Sequence, residues 1–110
     1  MTAYADPVAQ HQTLAGSTAD TVTISTANGG PRFSDLEVYN RDLSNGLSFT
    51  YAVNGGTPTA AVHLATGTYY VPPNGALSLS IARSNANIFA VSIAAAAATT
   101  VAYSVHGIQV

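Results

Sequence analysis

Short segments in which apolar and polar residues alternate constrain the fold of this chain more than any other feature. Alternation is the period of a β-strand, whose successive side chains point to opposite faces. It recurs from residue 21 onward in segments such as TVTIST, LSFTYAV, ALSLSI and VAYSV, which are separated by ANGGP, NGGTP and PPNG. Glycine, proline and asparagine at these breaks favour turns. The pattern predicts an all-β fold, an antiparallel sandwich or barrel of about seven to eight short strands.

The chain has 110 residues, which suits one domain rather than two. Residues 1–19 contain a proline and no sustained period, so we predict an extended N-terminal arm there, followed by a single sandwich domain over residues 20–110. A core of this size leaves little surplus over the entropy of ordering the chain. Burial shared with a partner would help, and we therefore expect a homo-oligomer, with a trimer favoured.

The longest alternating stretch predicts a β-hairpin over residues 36–53 with its turn at residues 40–46. One face of this hairpin is predicted to be buried, and it carries Leu36, Val38, Leu47, Phe49, Tyr51 and Val53. A weak strand is predicted at residues 61–64. The five alanines at residues 94–98 are too few to nucleate a helix, so they predict a turn between the last two strands. Tyr103 is in phase with Val101 and is predicted to be core, as is Tyr51.

Charged residues are few: three arginines, no lysine and five acids, with a net charge of −2. Without a basic cluster, nucleic acid is not expected as a partner. The N-terminus lacks the features of a signal peptide, and the longest apolar run is too short to span a membrane. We therefore expect synthesis in a cytoplasm, no Sec-type export and no membrane partner. The neutral hydroxyl and amide surface suits close packing against other proteins, and cysteine is absent.

Groups able to carry catalysis or bind a metal are sparse and scattered. His11, His63 and His106 are far apart in the sequence and predict no metal site. Asp35 and Glu37 lie two residues apart on one face of a predicted strand, which a solvated edge explains better than a catalytic pair. No nucleophile elbow or phosphate-binding loop is present. We expect no enzymatic activity and no cofactor.

Two groups of side chains are candidates for contacts with a partner. Arg41 and Asp42 lie in the predicted turn, where they either pair with each other and fix the bend, the favoured interpretation, or leave Arg41 free to bind a partner. Among the six tyrosines, Tyr39, Tyr69 and Tyr70 are predicted to point outward and could form a platform on which a sugar stacks.

Four strings, LEVYNRD, SFTYAVNGGTPT, TYYVPPNGALSLSI and VAYSVHG, give the chain a resemblance to small virion proteins of tailed bacteriophages. The similar proteins belong in particular to phages of high-GC actinobacterial hosts. The resemblance covers roughly residues 35–107 and leaves the N-terminal arm outside. It departs from the family pattern at Asn54, where the similar proteins carry an acid, so any role of that acid does not transfer.

The resemblance implies a non-enzymatic structural protein on the virion surface, most simply a capsid decoration (minor capsid) protein. Such a protein binds the outside of the major capsid protein shell and stabilises it by burying surface across subunit joints. The residues expected to contact other virion proteins are Tyr4, Val8 and Leu14 in the arm, with Arg41 and Asp42. Two alternatives remain: a minor tail or head-to-tail connector component, and a carbohydrate-binding or receptor-binding β-module that uses the outward tyrosines.

Overall fold

The computed structural model describes residues 10–15, 19–25, 32–96 and 99–109. Within these residues the chain forms two four-stranded antiparallel sheets, ordered β1-β8-β3-β6 (sheet A) and β2-β7-β4-β5 (sheet B). The strands are β1 (Gln10–Ala15), β2 (Asp20–Ser25), β3 (Phe33–Asn40), β4 (Leu47–Val53), β5 (Tyr69–Val71), β6 (Ala76–Ser80), β7 (Ile88–Ala95) and β8 (Thr100–Gln109). A single 3-10 turn at Ala82–Ser84 precedes β7. The prediction of an all-β sandwich is confirmed.

Almost every connection carries the chain from one sheet to the other. Only β4 and β5 are consecutive strands that pair with each other, and the remaining connections cross between sheets A and B. This strand order is that of a jelly roll, in which two Greek keys are wound together. The first and last strands are neighbours in sheet A, where β1 pairs with β8 in an antiparallel register.

The hairpin predicted over residues 36–53 is wrong, because β3 lies in sheet A and β4 lies in sheet B. The buried Asn40 at the end of β3 holds the crossing between the sheets. Its side-chain amide donates to the carbonyl oxygens of Asn45 and Val71, and its Oδ1 accepts the N–H of Asp42. An alternating pattern identifies which face of a strand is apolar, but it does not identify the strand that pairs with it.

The residues that face the core on β3 and β4 are those that the alternating pattern predicted. Leu36, Val38, Leu47 and Phe49 are fully buried, while Tyr51 and Val53 are partly buried and pack against the same core. The core lies between the sheets, and its largest members are Tyr103, Phe49, Phe89, Ile24, Leu36, Leu47 and Ile93.

Two further segments differ from the sequence-based expectations. Residues 61–64 form no strand but a turn within a longer connection. In the alanine tract, the first two residues extend β7, and the turn follows from Ala96, whose carbonyl oxygen accepts both the N–H and the hydroxyl of Thr99. Ala97 and Ala98 lie outside the described residues.

Part of the segment predicted as an arm belongs to the sandwich. Residues 10–15 form β1, in which Leu14 lies opposite Val101 of β8 in the register. Residues 1–9, including the candidate contacts Tyr4 and Val8, lie outside the described residues, and for them the arm stays a prediction.

A hydrogen bond between Tyr103 and Asp20 joins the two sheets through the core. The Tyr103 hydroxyl on β8 donates to the Asp20 carboxylate on β2 at 3.2 Å. Burial first, and the neighbouring Asp20 charge second, raise the pKa of Tyr103 above its ordinary value. The hydroxyl therefore remains protonated and stays a donor, so a core aromatic also ties sheet A to sheet B.

We expect Tyr103→Phe to lower the free energy of unfolding by about 1–2 kcal/mol, because it removes a hydrogen bond to a charged group without removing the ring. Denaturant unfolding measures the change. Tyr39→Phe is the matched control, since its half-buried ring lies outside the core cluster, and it should change stability by less than about 0.5 kcal/mol. Equal losses in both variants would contradict a specific role for the bond between the sheets.

Candidate functional site

The connection between β4 and β5, residues 54–68, covers the outer face of sheet B. Two serine hydroxyls of that sheet hold it in place: Ser92 accepts the N–H of Ala61, and Ser48 accepts the N–H of Leu64, each at 2.9 Å. Both serines are buried, although they lie on the face of the sheet that points away from the core. The hydroxyls satisfy two main-chain donors of the connection, a buried one at Ala61 and a part-buried one at Leu64.

Ser48 and His63 form a serine–histidine contact of the kind found in catalytic pairs, but the serine is not accessible to a substrate. The Ser48 hydroxyl lies 3.0 Å from Nδ1 of His63. Ser48 has no exposed surface and already accepts the N–H of Leu64. A nucleophile must reach its substrate, so the geometry fits an anchor for the connection rather than a reactive serine. His63 also lies beside the ring of Tyr70, with 6.2 Å between the centroids.

A concave pocket of about 640 Å³ lies between β4 and the connection at residues 59–68. β7 pairs with all of β4, but β5 pairs only with Leu47, Ser48 and Phe49. From Thr50 onward, this edge of β4 has no strand beside it in the described part of the chain. The pocket occupies that position, and the short length of β5 is what leaves it open.

Two tyrosines form the aromatic wall of the pocket. Tyr51 and Tyr69 have ring centroids 6.0 Å apart and are tilted by 39°. Tyr69 also stacks on the buried Phe49, with 5.4 Å between centroids and an angle of 28°. The remaining lining is made of small and hydroxyl-bearing residues: Thr50, Thr59, Ala60, Val62, Ala65, Thr66, Gly67 and Thr68. None of these residues is charged.

The same connection exposes apolar side chains. Val62 is 64% exposed and Leu64 is 68% exposed, and Tyr70 follows at 47%. Leu64 also has a left-handed backbone with a φ of 61°. A large residue with a Cβ pays roughly 1–2 kcal/mol in that conformation, and strained residues concentrate at functional sites. Exposed apolar residues grouped in this way are typical of contact surfaces.

The structure places only two of the three outward tyrosines on the same strand. Tyr69 and Tyr70 are exposed on β5, while Tyr39 is half-buried on β3 in the other sheet. Tyr69 and Tyr70 point to opposite faces of sheet B, and only Tyr69 lines the pocket. Tyr51, predicted as core, is the second pocket residue. Residues 54–68 form a long connection that lacks the alternating pattern of a strand. A connection of this length is the sequence signal that could have indicated the site.

Asp42 fixes the bend after β3, but it does so without Arg41. Its carboxylate accepts the N–H groups of Ser44 at 3.0 Å and Asn45 at 2.6 Å. No ion pair joins Arg41 to Asp42, so the favoured local pairing is wrong. Arg41 is exposed, and its binding to a partner stays a prediction.

The scattered titratable residues do not converge. His63 lies in the connection that covers sheet B, whereas His106 lies on β8 of sheet A and contacts Glu37 at 3.4 Å across neighbouring strands. Glu37 also accepts the hydroxyl of Ser78 at 3.1 Å, and Asp35 is half-buried on the same strand. Among the described residues no group of three or more such side chains could bind a metal ion. The structure describes no side chain for His11.

Comparisons with known proteins show similarity of fold only. No protein-family model matches the sequence, and no curated protein matches it. Among solved structures, Yersinia pseudotuberculosis-derived mitogen resembles this chain with a TM-score of 0.57 and 12% sequence identity. The match covers 94% of this chain and 87% of the mitogen. The chain is thus a β-sandwich module, and none of the helices in its described part is long and apolar enough to cross a membrane.

We expect Ser48→Ala to lower the free energy of unfolding by about 0.5–1.5 kcal/mol, because the part-buried hydrogen bond that the N–H of Leu64 donates to Ser48 is lost. Amide hydrogen exchange at Leu64 should accelerate more than exchange at core positions of β7, since the connection would detach first. Ser80→Ala, at an exposed position of β6, is the matched control and should change neither quantity. An unchanged exchange rate at Leu64 would show that Ser48 does not anchor the connection.

The bend at Asp42 predicts a specific response to acid. The N–H groups of Ser44 and then Asn45 lower the pKa of Asp42 below its ordinary value of 3.8. Because the pKa of Asp42 is lower in the folded state than in the unfolded state, its carboxylate stabilises the fold fully at pH values above the unfolded-state pKa. This stabilisation is lost as the pH falls through the folded-state pKa. The amide shifts of Ser44 and Asn45, followed by NMR, should titrate with a midpoint below 3.8. A higher midpoint, or titration of both amides in Asp42→Asn, would contradict this assignment.

Proposed function

We propose that this chain is a non-enzymatic structural protein of a tailed-bacteriophage virion, a capsid decoration protein that binds the outside of the major capsid protein shell. The proposal places the protein on the particle after synthesis in the host cytoplasm, as a homotrimer. It is supported by the resemblance of the four sequence strings, which lie in β3, β4, β5, β6 and β8 and their connections. A sandwich with few charges suits a role in which surface is buried against other subunits.

The exposed Leu64 is the observation that carries the proposal. Its side chain is 68% exposed, and the left-handed backbone that presents it is unfavourable for leucine. Asparagine or glycine would suit this backbone better and would expose no apolar surface. Folding therefore gives no reason for leucine at this position, whereas burial against a partner does. Val62 next to it adds to the same apolar surface.

A decoration protein and a minor tail or connector component differ in their copy number per particle and in their location on the particle. Quantitative mass spectrometry of purified particles gives the copy number, and immunogold labelling gives the position. Many copies spread over the head support decoration, and a few copies at one vertex support the tail or connector alternative. Absence of the protein from purified particles would overturn the proposal as a whole.

Leu64→Asn is expected to weaken docking to the particle without lowering the stability of the fold. Asparagine tolerates the left-handed backbone, so the free energy of unfolding should be unchanged or higher by up to about 1 kcal/mol. Incorporation into particles that lack the wild-type protein should fall at least about tenfold, because the apolar contact is lost. Sedimentation of particles with bound protein measures incorporation.

Two further variants complete this experiment. Ile108→Thr, on sheet A, is the control and should be incorporated normally, since Ile108 is less exposed and lies away from the connection. Leu43→Asn tests the crossing that carries Arg41 and Asp42. Normal incorporation of Leu64→Asn would contradict docking through Leu64 and Val62, and a loss confined to Leu43→Asn would place the contact at the crossing instead.

A further inference from the structure

The pocket beside β4 has the volume of a small-ligand site. Its volume of about 640 Å³ falls within the range of roughly 300–1,000 Å³ that is usual for such sites. It lies next to the exposed apolar residues of the connection and shares Val62 with them, but Leu64 and Tyr70 do not contribute to its lining. A role for the pocket is therefore separable from docking through Leu64.

The aromatic wall is held rigidly and remains accessible. One face of the Tyr69 ring stacks on the buried Phe49, which fixes its orientation. The Tyr69 side chain as a whole is 40% exposed, and Tyr51 lies at an angle beside it. A partly exposed ring held by stacking offers a flat apolar surface with little entropy to lose on binding. The C–H face of a sugar ring packs on such a surface.

The polar groups of the pocket suit a ligand rich in hydroxyls. Four threonines contribute to the lining, and two of them already donate hydrogen bonds within the protein: Thr50 to the Thr59 carbonyl oxygen and Thr68 to the Ala65 carbonyl oxygen. Their oxygens can still accept a hydrogen bond. Thr59 and Thr66 are exposed at the rim. Hydroxyls that both donate and accept match the hydroxyls of a sugar.

The absence of charge in the lining restricts the class of ligand. All ten residues that line the pocket are neutral, so an anionic or cationic ligand would lose water without gaining a counter-charge. Ser48 and Ser92 hold the connection against sheet B, and the pocket wall is thus formed before any ligand arrives. A preformed neutral site favours a neutral ligand of matching shape.

We propose that this pocket is a binding site for a neutral saccharide, in which a sugar ring stacks on Tyr69 and Tyr51 and the threonine hydroxyls bind its hydroxyl groups. The site goes beyond a structural role on the particle, because a saccharide bound here would give the protein an affinity for glycan-bearing surfaces. Tyr69 and Tyr51 supply the stacking surface, and Thr66 is placed to contribute a hydroxyl contact at the rim.

The full-length chain labelled with ¹⁵N tests the site directly. Glucose, galactose, mannose, N-acetylglucosamine, lactose and maltose are titrated to about 10 mM, which detects dissociation constants near 1 mM. At least one neutral sugar should shift the amide signals of Thr50, Thr66 and Tyr69. Glucuronate, the charged counterpart of glucose, should bind at least about tenfold more weakly than the neutral sugar that binds best.

Neighbouring tyrosines provide the matched variants. Tyr69→Ala should weaken binding of that sugar at least about tenfold, whereas Tyr70→Ala should leave it within about twofold, because Tyr70 has similar exposure but lies outside the pocket. Thr66→Val keeps the shape of the side chain and should weaken binding about threefold to tenfold by loss of one hydrogen bond. The amide spectrum of each variant verifies its fold.

Three results would overturn the saccharide site: no shift with any of these sugars, shifts that map outside the pocket, or equal losses in Tyr69→Ala and Tyr70→Ala. None of them bears on docking, which is measured by particle incorporation of Leu64→Asn. Conversely, normal sugar binding by Leu64→Asn would show that sugar binding does not depend on the docking residue, as the absence of Leu64 from the pocket lining predicts.

Discussion

Coverage of both faces of sheet B is the constraint on which the rest of this structure depends. Sheet A covers the inner face, and the connection at residues 54–68 covers the outer one. A connection pressed against a sheet buries main-chain amides, each of which costs free energy unless it finds an acceptor. Ser48 and Ser92 provide those acceptors at 2.9 Å. The exposed apolar residues and the pocket both lie on the segment that these two hydroxyls hold in place.

Sequence alternation identified the faces of the strands but not their partners. Leu36 and Phe49 are buried as the pattern predicted, because the period of a strand is a local property. The sheet in which each strand lies depends on contacts distant in sequence, and the amide of Asn40 that redirects the chain has no signature in the period. Residues 61–64 alternate weakly, yet form a turn anchored by Ser48. Local propensity yields to tertiary packing at such positions.

The candidate site could be predicted only in part, for a related reason. Tyr69 is predicted to point outward and is exposed, whereas Tyr51 is in phase with the core residue Phe49 and is predicted to be core. It lines a pocket because β5 ends its pairing at Phe49, which the sequence of β4 does not reveal. The pocket therefore depends on two structural features. The three-residue strand β5 leaves part of the edge of β4 unpaired, and the long connection held by Ser48 and Ser92 forms the opposite wall.

The adjacency of the first and last strands has a consequence for biosynthesis. β8 is an inner strand of sheet A and pairs with both β1 and β3, so this sheet cannot be completed until β8 has left the ribosome. Pairings between residues so distant in sequence form slowly, and during that interval the edges of β1 and β3 that pair with β8 have no partner strand. A protein with few charges gains little protection from self-repulsion in this state. Rapid capture of β8, rather than the stability of the finished sandwich, would then limit how much soluble protein a cell accumulates.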